Sequence, residues 1–392
     1  MFIIYIMFII NIIIYIYNKQ LFFIICIILC LLYILYVYYI YYMYYNICLL
    51  YILRLLYILY NIICPPLFSL PPSPVVVVVV VVVVQLLHMS VFSQSFSPCG
   101  RFLAAGNNYG EIAVFSLSAA LSPDATALSQ KPVLRFPAHE GPVYSLLSTD
   151  CQLLSSGNGE ISCWSWSELI KKVTSSLEIP EINSMSMNFR DNSLVFGGGD
   201  NNVHILDLEH GVFKSVLQGH TDYVHCVSVR DREAEILSGG EDGAVRMWDS
   251  RTGQSVHCIE VHKYESCARP QFGKWISCLT TDSDWMLCGG GPSLSLWHLR
   301  SLSPTSVFPL KGVQRQTTFY QDMILAVGEG PAVSHCLLGG EVKAQIPCTP
   351  QSLNTLQLNT SSTEHRVLTV GGSSDHIDVF TNLSYRTFSL SF

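Results

Sequence analysis

The chain has 392 residues, of which 50% are hydrophobic and 13% charged, with a formal net charge of −7. Taken whole, that is the composition of a membrane protein, but it breaks sharply near residue 84. Residues 85–392 carry 20 basic and 29 acidic side chains, a net −9, which argues against a surface of clustered Lys and Arg built to neutralise nucleic-acid phosphates.

Residues 1–84 hold 14 of the 20 tyrosines, two charged side chains (Lys19 and Arg54) and no Asp, Glu or Gly. Met1–Tyr17, Leu21–Tyr45 and Ile47–Cys64 reach the ~20 residues that cross a bilayer. Yet residues 1–63 lack Ala, Gly, Ser, Thr and Pro, and small residues are what let membrane helices pack. A Pro/Ser stretch follows, then ten consecutive valines, Val75–Val84. Ile, Tyr, Phe, Leu, Asn and Met are the residues of AT-rich codons, so the segment reads as non-coding sequence translated by a faulty gene model. The alternative is a membrane anchor.

Beyond it lie ten cysteines without a C-x-x-C pair, so the common zinc spacings are missing. Several sit in apolar runs, as in His225-Cys226-Val227, where a reduced thiol packs as a small hydrophobe. The expectation is a reducing, intracellular compartment.

The 308 residues from Gln85 repeat. A short apolar strand, a Gly/Asn/Asp turn and a second strand ending on a large apolar residue recur seven times, closing on Phe115, Trp164, Leu206, Trp248, Trp297, Cys336 and Phe380. The spacings are 49, 42, 42, 49, 39 and 44 residues. Strands of period 2, as in Val245-Arg246-Met247-Trp248, joined by turns that tolerate positive φ, make antiparallel sheet. Such small sheets cannot bury both faces alone and must stack around an axis. Residues 85–392 are therefore predicted to be all-β, a seven-bladed propeller. The one helical signal is Ser167–Val173, with Lys171-Lys172 as its solvated face.

The fourth unit is the sharpest. Gly219-His220 opens it, and Trp248-Asp249 closes its third strand 28 residues after the histidine. This resembles the WD40 repeat, with its G-H start and W-D end. Matched onto this chain, the buried hydrogen-bond set of that family is His220, Ser238, Asp242 and Trp248. Unit two keeps His139 and Trp164, with Asn158 at the Asp position. Unit three has Asp200 but Leu206 for the Trp, and unit six has Cys336, so these units are expected to rely on packing.

Catalytic signatures are missing: there is no G-x-x-x-x-G-K-[ST] and no G-x-S-x-G. The runs Gly197–Gly199 and Gly289–Gly291 lie between strands, so they read as hairpin turns, not phosphate cradles. His225, Cys226, His257, Cys258 and His262 alternate along strands without closing a tetrahedral set. Glu241-Asp242 beside Gly243 is turn chemistry. The reading is a non-enzyme with no cofactor and no metal, a binding platform whose polar loop Ser118–Lys131 is exposed.

Segments outside the repeat consensus narrow the choice. HMSVFSQSFSPCGRFLAAGNNYGEIAVFSL (88–117), GHTDYVHCVSV (219–229), ILSGGEDGAVRMWD (236–249), TDSDWMLCGGGPSLSLWHLRS (281–301), TFYQDMILAVGEG (318–330) and VFTNLSYRTFSLSF (379–392) resemble the THO complex subunit 6 family of WD40 proteins. The resemblance covers essentially Gln85–Phe392. It implies a nuclear (nuclear-speckle) scaffold of the THO/TREX assembly, which couples transcription and splicing to mRNA export. Partners would be other THO/TREX subunits, with mRNA met only through them. A second reading rests on Trp248, Asp249 and Arg251, the W-D-x-R pattern of WD40 substrate receptors that dock on the adaptor of cullin-RING ubiquitin ligases. Trp297-His298-Leu299-Arg300 echoes it. A membrane partner depends wholly on residues 1–84.

Overall fold

The computed structural model describes residues 89–392 apart from 168–171, 177–180 and 231–233; the apolar segment 1–84 lies outside the described residues. Within them, 28 strands form seven four-stranded antiparallel sheets, each from four consecutive strands. The blades span 91–137, 145–176, 182–218, 224–260, 276–307, 314–347 and 353–391. All seven closing residues, from Phe115 to Phe380, lie on third strands and are buried. The turns into those strands are set locally. Asp242 Oδ1 accepts the Ala244 amide at 3.1 Å across Gly243, whose φ is 80°. Asn107 Oδ1 does the same for Tyr109 and Glu111 at 2.9 and 3.0 Å. A short acceptor side chain followed by a left-handed residue is what such a turn requires.

The first strands pack against one another around the axis, and the first strand of blade 7 packs against that of blade 1, closing the ring. The buried apolar side chains fall into seven clusters, one at each seam between neighbouring blades. Trp248 faces blade 3, while Val245 and Met247 on the same strand face blade 5. Both faces of a blade are thus covered, as the expected stacking of units around an axis requires. Second strands such as Ser193–Gly198 are buried at every position. Alternation gives way wherever a sheet has no solvent face.

Two devices recur at the seams near the axis. The glycine late in a second strand leaves room for a branched residue that opens the next blade. A β-carbon on Gly239 would sit 2.6 Å from Ile276 Cγ2, and one on Gly371 would sit 2.8 Å from Val91 Cγ1. The same fit recurs between Gly106 and Val143 and between Gly197 and Val224. The second device is a β-bulge at the start of the first strand, present in six blades. It frees one residue, and in three blades that residue reaches the next blade. Asn183 Nδ2 donates to Val224 O at 3.0 Å, Ser277 Oγ to Gln314 O at 2.5 Å, and Asn354 Nδ2 to Val91 O at 3.2 Å. These residues line a polar axial cavity of about 270 Å³.

The expected helix over Ser167–Val173 is corrected at its end, because Lys172–Ser176 is a strand; 168–171, including Lys171, lie outside the described residues. The short helix instead is Leu117–Ala120, started by Ser116 Oγ accepting the Ala119 amide. It begins the insertion 117–133 in blade 1. The insertion reaches across the closing seam, where Gln130 O accepts the Ser391 amide at 3.0 Å. There Phe392 packs edge-on to Phe115 and under the Arg135 guanidinium.

Because Gly239 and Gly371 meet side chains of the following blade with no room to spare, Gly239→Ala and Gly371→Ala should each cost about 1–3 kcal/mol by overpacking. Urea unfolding measures this, and the open position Gly211→Ala, where nothing approaches within 4 Å, is the comparison for strain without a clash.

Candidate functional site

The most organised polar cluster is built where blade 4 begins. His220 lies in the loop after Val212–Gln218, Ser238 on the second strand, Asp242 in the turn and Trp248 on the third strand. The Trp248 indole N–H donates to Ser238 Oγ at 2.8 Å, and Ser238 Oγ stands 2.7 Å from His220 Nε2. His220 Nδ1 is 3.0 Å from Asp242 Oδ2. With Nδ1 protonated, every donor in the chain indole–hydroxyl–imidazole–carboxylate has an acceptor. Burial disfavours the charged Asp242 carboxyl, but the His220 hydrogen bond and charge outweigh it, helped by the Ala244 and Thr221 amides. The carboxyl is held down at about 2.

A serine, a histidine and an aspartate in this order also make a hydrolytic triad. The difference is access. Ser238 is 0% exposed, and its oxygen already accepts from the indole, so it cannot reach a substrate carbonyl. The set can fasten a loop and two strands together and can do no acyl transfer.

Blade 2 carries the same chain of contacts. His139 Nε2 is 2.8 Å from Ser155 Oγ, and Trp164 Nε1 donates to that oxygen at 2.9 Å. The carboxylate is Glu160, 2.6 Å from His139 Nδ1, which corrects the assignment to Asn158. Glu160 starts the third strand two residues later, and its extra methylene spans the difference. In the other blades other contacts take these places. Phe196 stacks on His204 in blade 3, and in blade 5 Trp297 donates to Ser295 Oγ on its own strand. In blade 7 the buried Asp378 accepts from the Thr349 amide and hydroxyl and from Ser389. Arg269 escaped notice in the sequence altogether. It lies in the loop before blade 5 and donates to the carbonyls of Gly290, Gly291, Pro292, Leu310 and Gly312, fixing blade 5 to the entry of blade 6.

A model of the WD domain, G-beta repeat, matches residues 130–165, the span that holds His139, Ser155, Glu160 and Trp164. A second, of the Nucleolar protein 10-like, N-terminal domain, matches 170–307. Relatives over most of the chain go further. The chain is 75% identical over 320 residues to the THO complex subunit 6 homolog of Danio rerio, covering 79% of this chain and 99% of that protein. It is 56% identical over 322 residues to the THO complex subunit 6 of Homo sapiens, covering 79% and 94%. The chain belongs to the THO complex subunit 6 family. The family extends to Arabidopsis thaliana, whose THO complex subunit 6 is 29% identical over 338 residues.

In this THO complex subunit 6 family member the W-D-x-R residues part company. Trp248 is 0% exposed, which corrects its place among candidate adaptor contacts, since a partner cannot touch it. Asp249 and Arg251 lie outside. The Arg251 guanidinium donates to both Asp249 oxygens, at 3.1 and 3.2 Å, and its side chain stays 77% exposed. Those hydrogen bonds hold the Asp249 carboxyl below its ordinary value. Arg300, the echo in blade 5, pairs with Asp284 at 2.9 Å.

All ten cysteines beyond residue 84 are free thiols; Cys226, Cys267, Cys278, Cys288 and Cys336 are buried. Burial pushes the Cys278 thiol up to about 12. Among the described residues, no group of three or more His, Cys, Asp or Glu is placed to hold a metal, and no helix is long and apolar enough to cross a membrane.

The proposed role of the blade-4 set as a structural clamp is open to two measurements. Trp248→Phe removes the indole donor and leaves a cavity, and should cost about 2 kcal/mol or more. Asp242 contributes stability above its ordinary 3.8 that is lost as the pH falls from there to about 2, because its folded-state value is depressed. Thermal midpoints of the parent protein should therefore drop more steeply across that interval than those of Asp242→Asn.

Proposed function

We propose that the protein is a non-enzymatic scaffold subunit of the THO complex, supporting its assembly and thereby the coupling of transcription and splicing to nuclear mRNA export. The observation that carries this is the 75% identity across 99% of the zebrafish THO complex subunit 6 homolog. Two physical features favour a platform over a catalyst: the buried Ser238–His220–Asp242 chain, and a ring whose loops and outer strands face outward for partners. The net −9 of residues 85–392 would repel a phosphate backbone, so mRNA is met through partner subunits. The protein works in the nucleus, at nuclear speckles, and enters with those partners. We assign the function to residues 85–392 and read 1–84 as foreign to it; peptides from 1–84 in the native protein would overturn that assignment.

A second reading, a ubiquitin-ligase substrate receptor, draws on one observation: Arg251 is exposed and already oriented by Asp249. A tagged endogenous copy purified from nuclear extract should bring the other THO subunits in near-stoichiometric amounts. Adaptor and cullin without them would replace the scaffold reading by the receptor one. Arg251→Glu should leave THO association unchanged; loss of adaptor binding with THO association intact would give the motif a role of its own.

A further inference from the structure

At the end of the seam between blades 6 and 7 lies a hollow of about 290 Å³. Its floor is the seam core itself, Leu368 and Phe380, and its walls are Leu358 and Leu383. Tyr320 and Arg366 stand at the rim. The Arg366 guanidinium lies over the Tyr320 ring and donates to its hydroxyl at 3.0 Å, so the cation is held in one place beside the hollow.

The same place at the seam between blades 4 and 5 shows what is missing. Arg230 ends its first strand, Val224–Arg230, as Tyr320 ends Gln314–Tyr320. Arg230 is closed in by two carboxylates, Glu235 at 2.6 Å and Asp284 at 2.5 Å, and by Ser283 O at 2.7 Å. At the 6/7 seam the cation comes from Arg366, which donates to the Tyr320 hydroxyl and, among the described residues, pairs with no carboxylate. An oriented guanidinium presents a fork that matches a carboxylate, and the half-buried Leu358 and Leu383 beside it fit a hydrocarbon side chain.

We propose that this hollow docks a segment of a partner protein that places an apolar side chain, leucine or a residue of its size, next to an aspartate or glutamate. The apolar group packs against the half-buried Leu358 and Leu383, and the carboxylate takes the Arg366 fork that Tyr320 holds ready. The volume lies just under the ~300–1,000 Å³ of small-molecule sites, and one charge with few other free polar groups suits one peptide side chain better than a metabolite. Asn382, also at the rim, already uses its Oδ1 on the Ser384 amide. The proposal concerns a surface of this chain and stands apart from which complex the protein joins.

The test is an NMR titration of the purified full-length protein with N-acetyl-leucyl-aspartate amide, against N-acetyl-leucyl-asparagine amide. The aspartate probe should bind saturably in the millimolar range, and the asparagine probe about tenfold more weakly. Arg366→Ala should bring the aspartate probe down to the level of the asparagine one, and Arg366→Lys should restore part of the difference. Leu383→Ser should weaken both probes. The probe comparison on the parent protein needs no variant to fold. No saturable binding, or equal affinity for the two probes, overturns the proposal.

Discussion

A propeller blade has two apolar faces and no solvent face, so it has no stable existence without a neighbour on each side. Everything else in this chain follows from that constraint. The core is divided among seven seams, and each must be filled to the density of a protein interior. The glycine late in a second strand and the branched residue opening the next blade, paired as Gly239 with Ile276, are where this filling is tightest. They set how closely two sheets approach at the axis, and the bulge residues then lock that approach with side-chain-to-carbonyl bonds.

The constraint also explains which polar groups can be inside. A hydroxyl or imidazole between two sheets is costly unless its hydrogen bonds are complete. Blades 2 and 4 meet this with a full chain from indole to carboxylate, and blade 7 with a buried aspartate served by Thr349 and Ser389. Blades 1, 3 and 6 put apolar groups at the serine position (Ala105, Phe196 and Ala326), where nothing is left to satisfy. The polar and the apolar solution are interchangeable at this position because each seam asks first that it be full.

The fold was legible because seam filling imposes a rhythm. Phe115, Trp164, Leu206, Trp248, Trp297, Cys336 and Phe380 recur at the spacing of a blade whatever their chemistry. The blade-4 cluster was legible for the same reason, as a W-D and a G-H at fixed separation. Glu160 was not, since a carboxylate two residues along the chain reaches the His139 imidazole by side-chain length, and spacing does not register that. Nor were Arg269 and Arg366, single charges in loops whose partners are carbonyls and a strand-end tyrosine far away in sequence. Trp248 could not serve both as a buried hydrogen-bond donor and as an adaptor contact, because the W-D-x-R motif straddles a boundary, its indole in a seam and its arginine in water.

Each blade here is drawn from four consecutive strands, and no strand is exchanged between the first blade and the last. The ring is therefore closed by the same kind of seam that joins any two neighbours, with Val91 against Gly371 and Phe392 beside Phe115. The ends of the propeller hold no privileged position in its topology. Joining residue 392 to residue 89 by a short linker and opening the chain in the loop 219–223 would move the break without changing any sheet, leaving a circular order of blades whose starting point is a matter of translation alone.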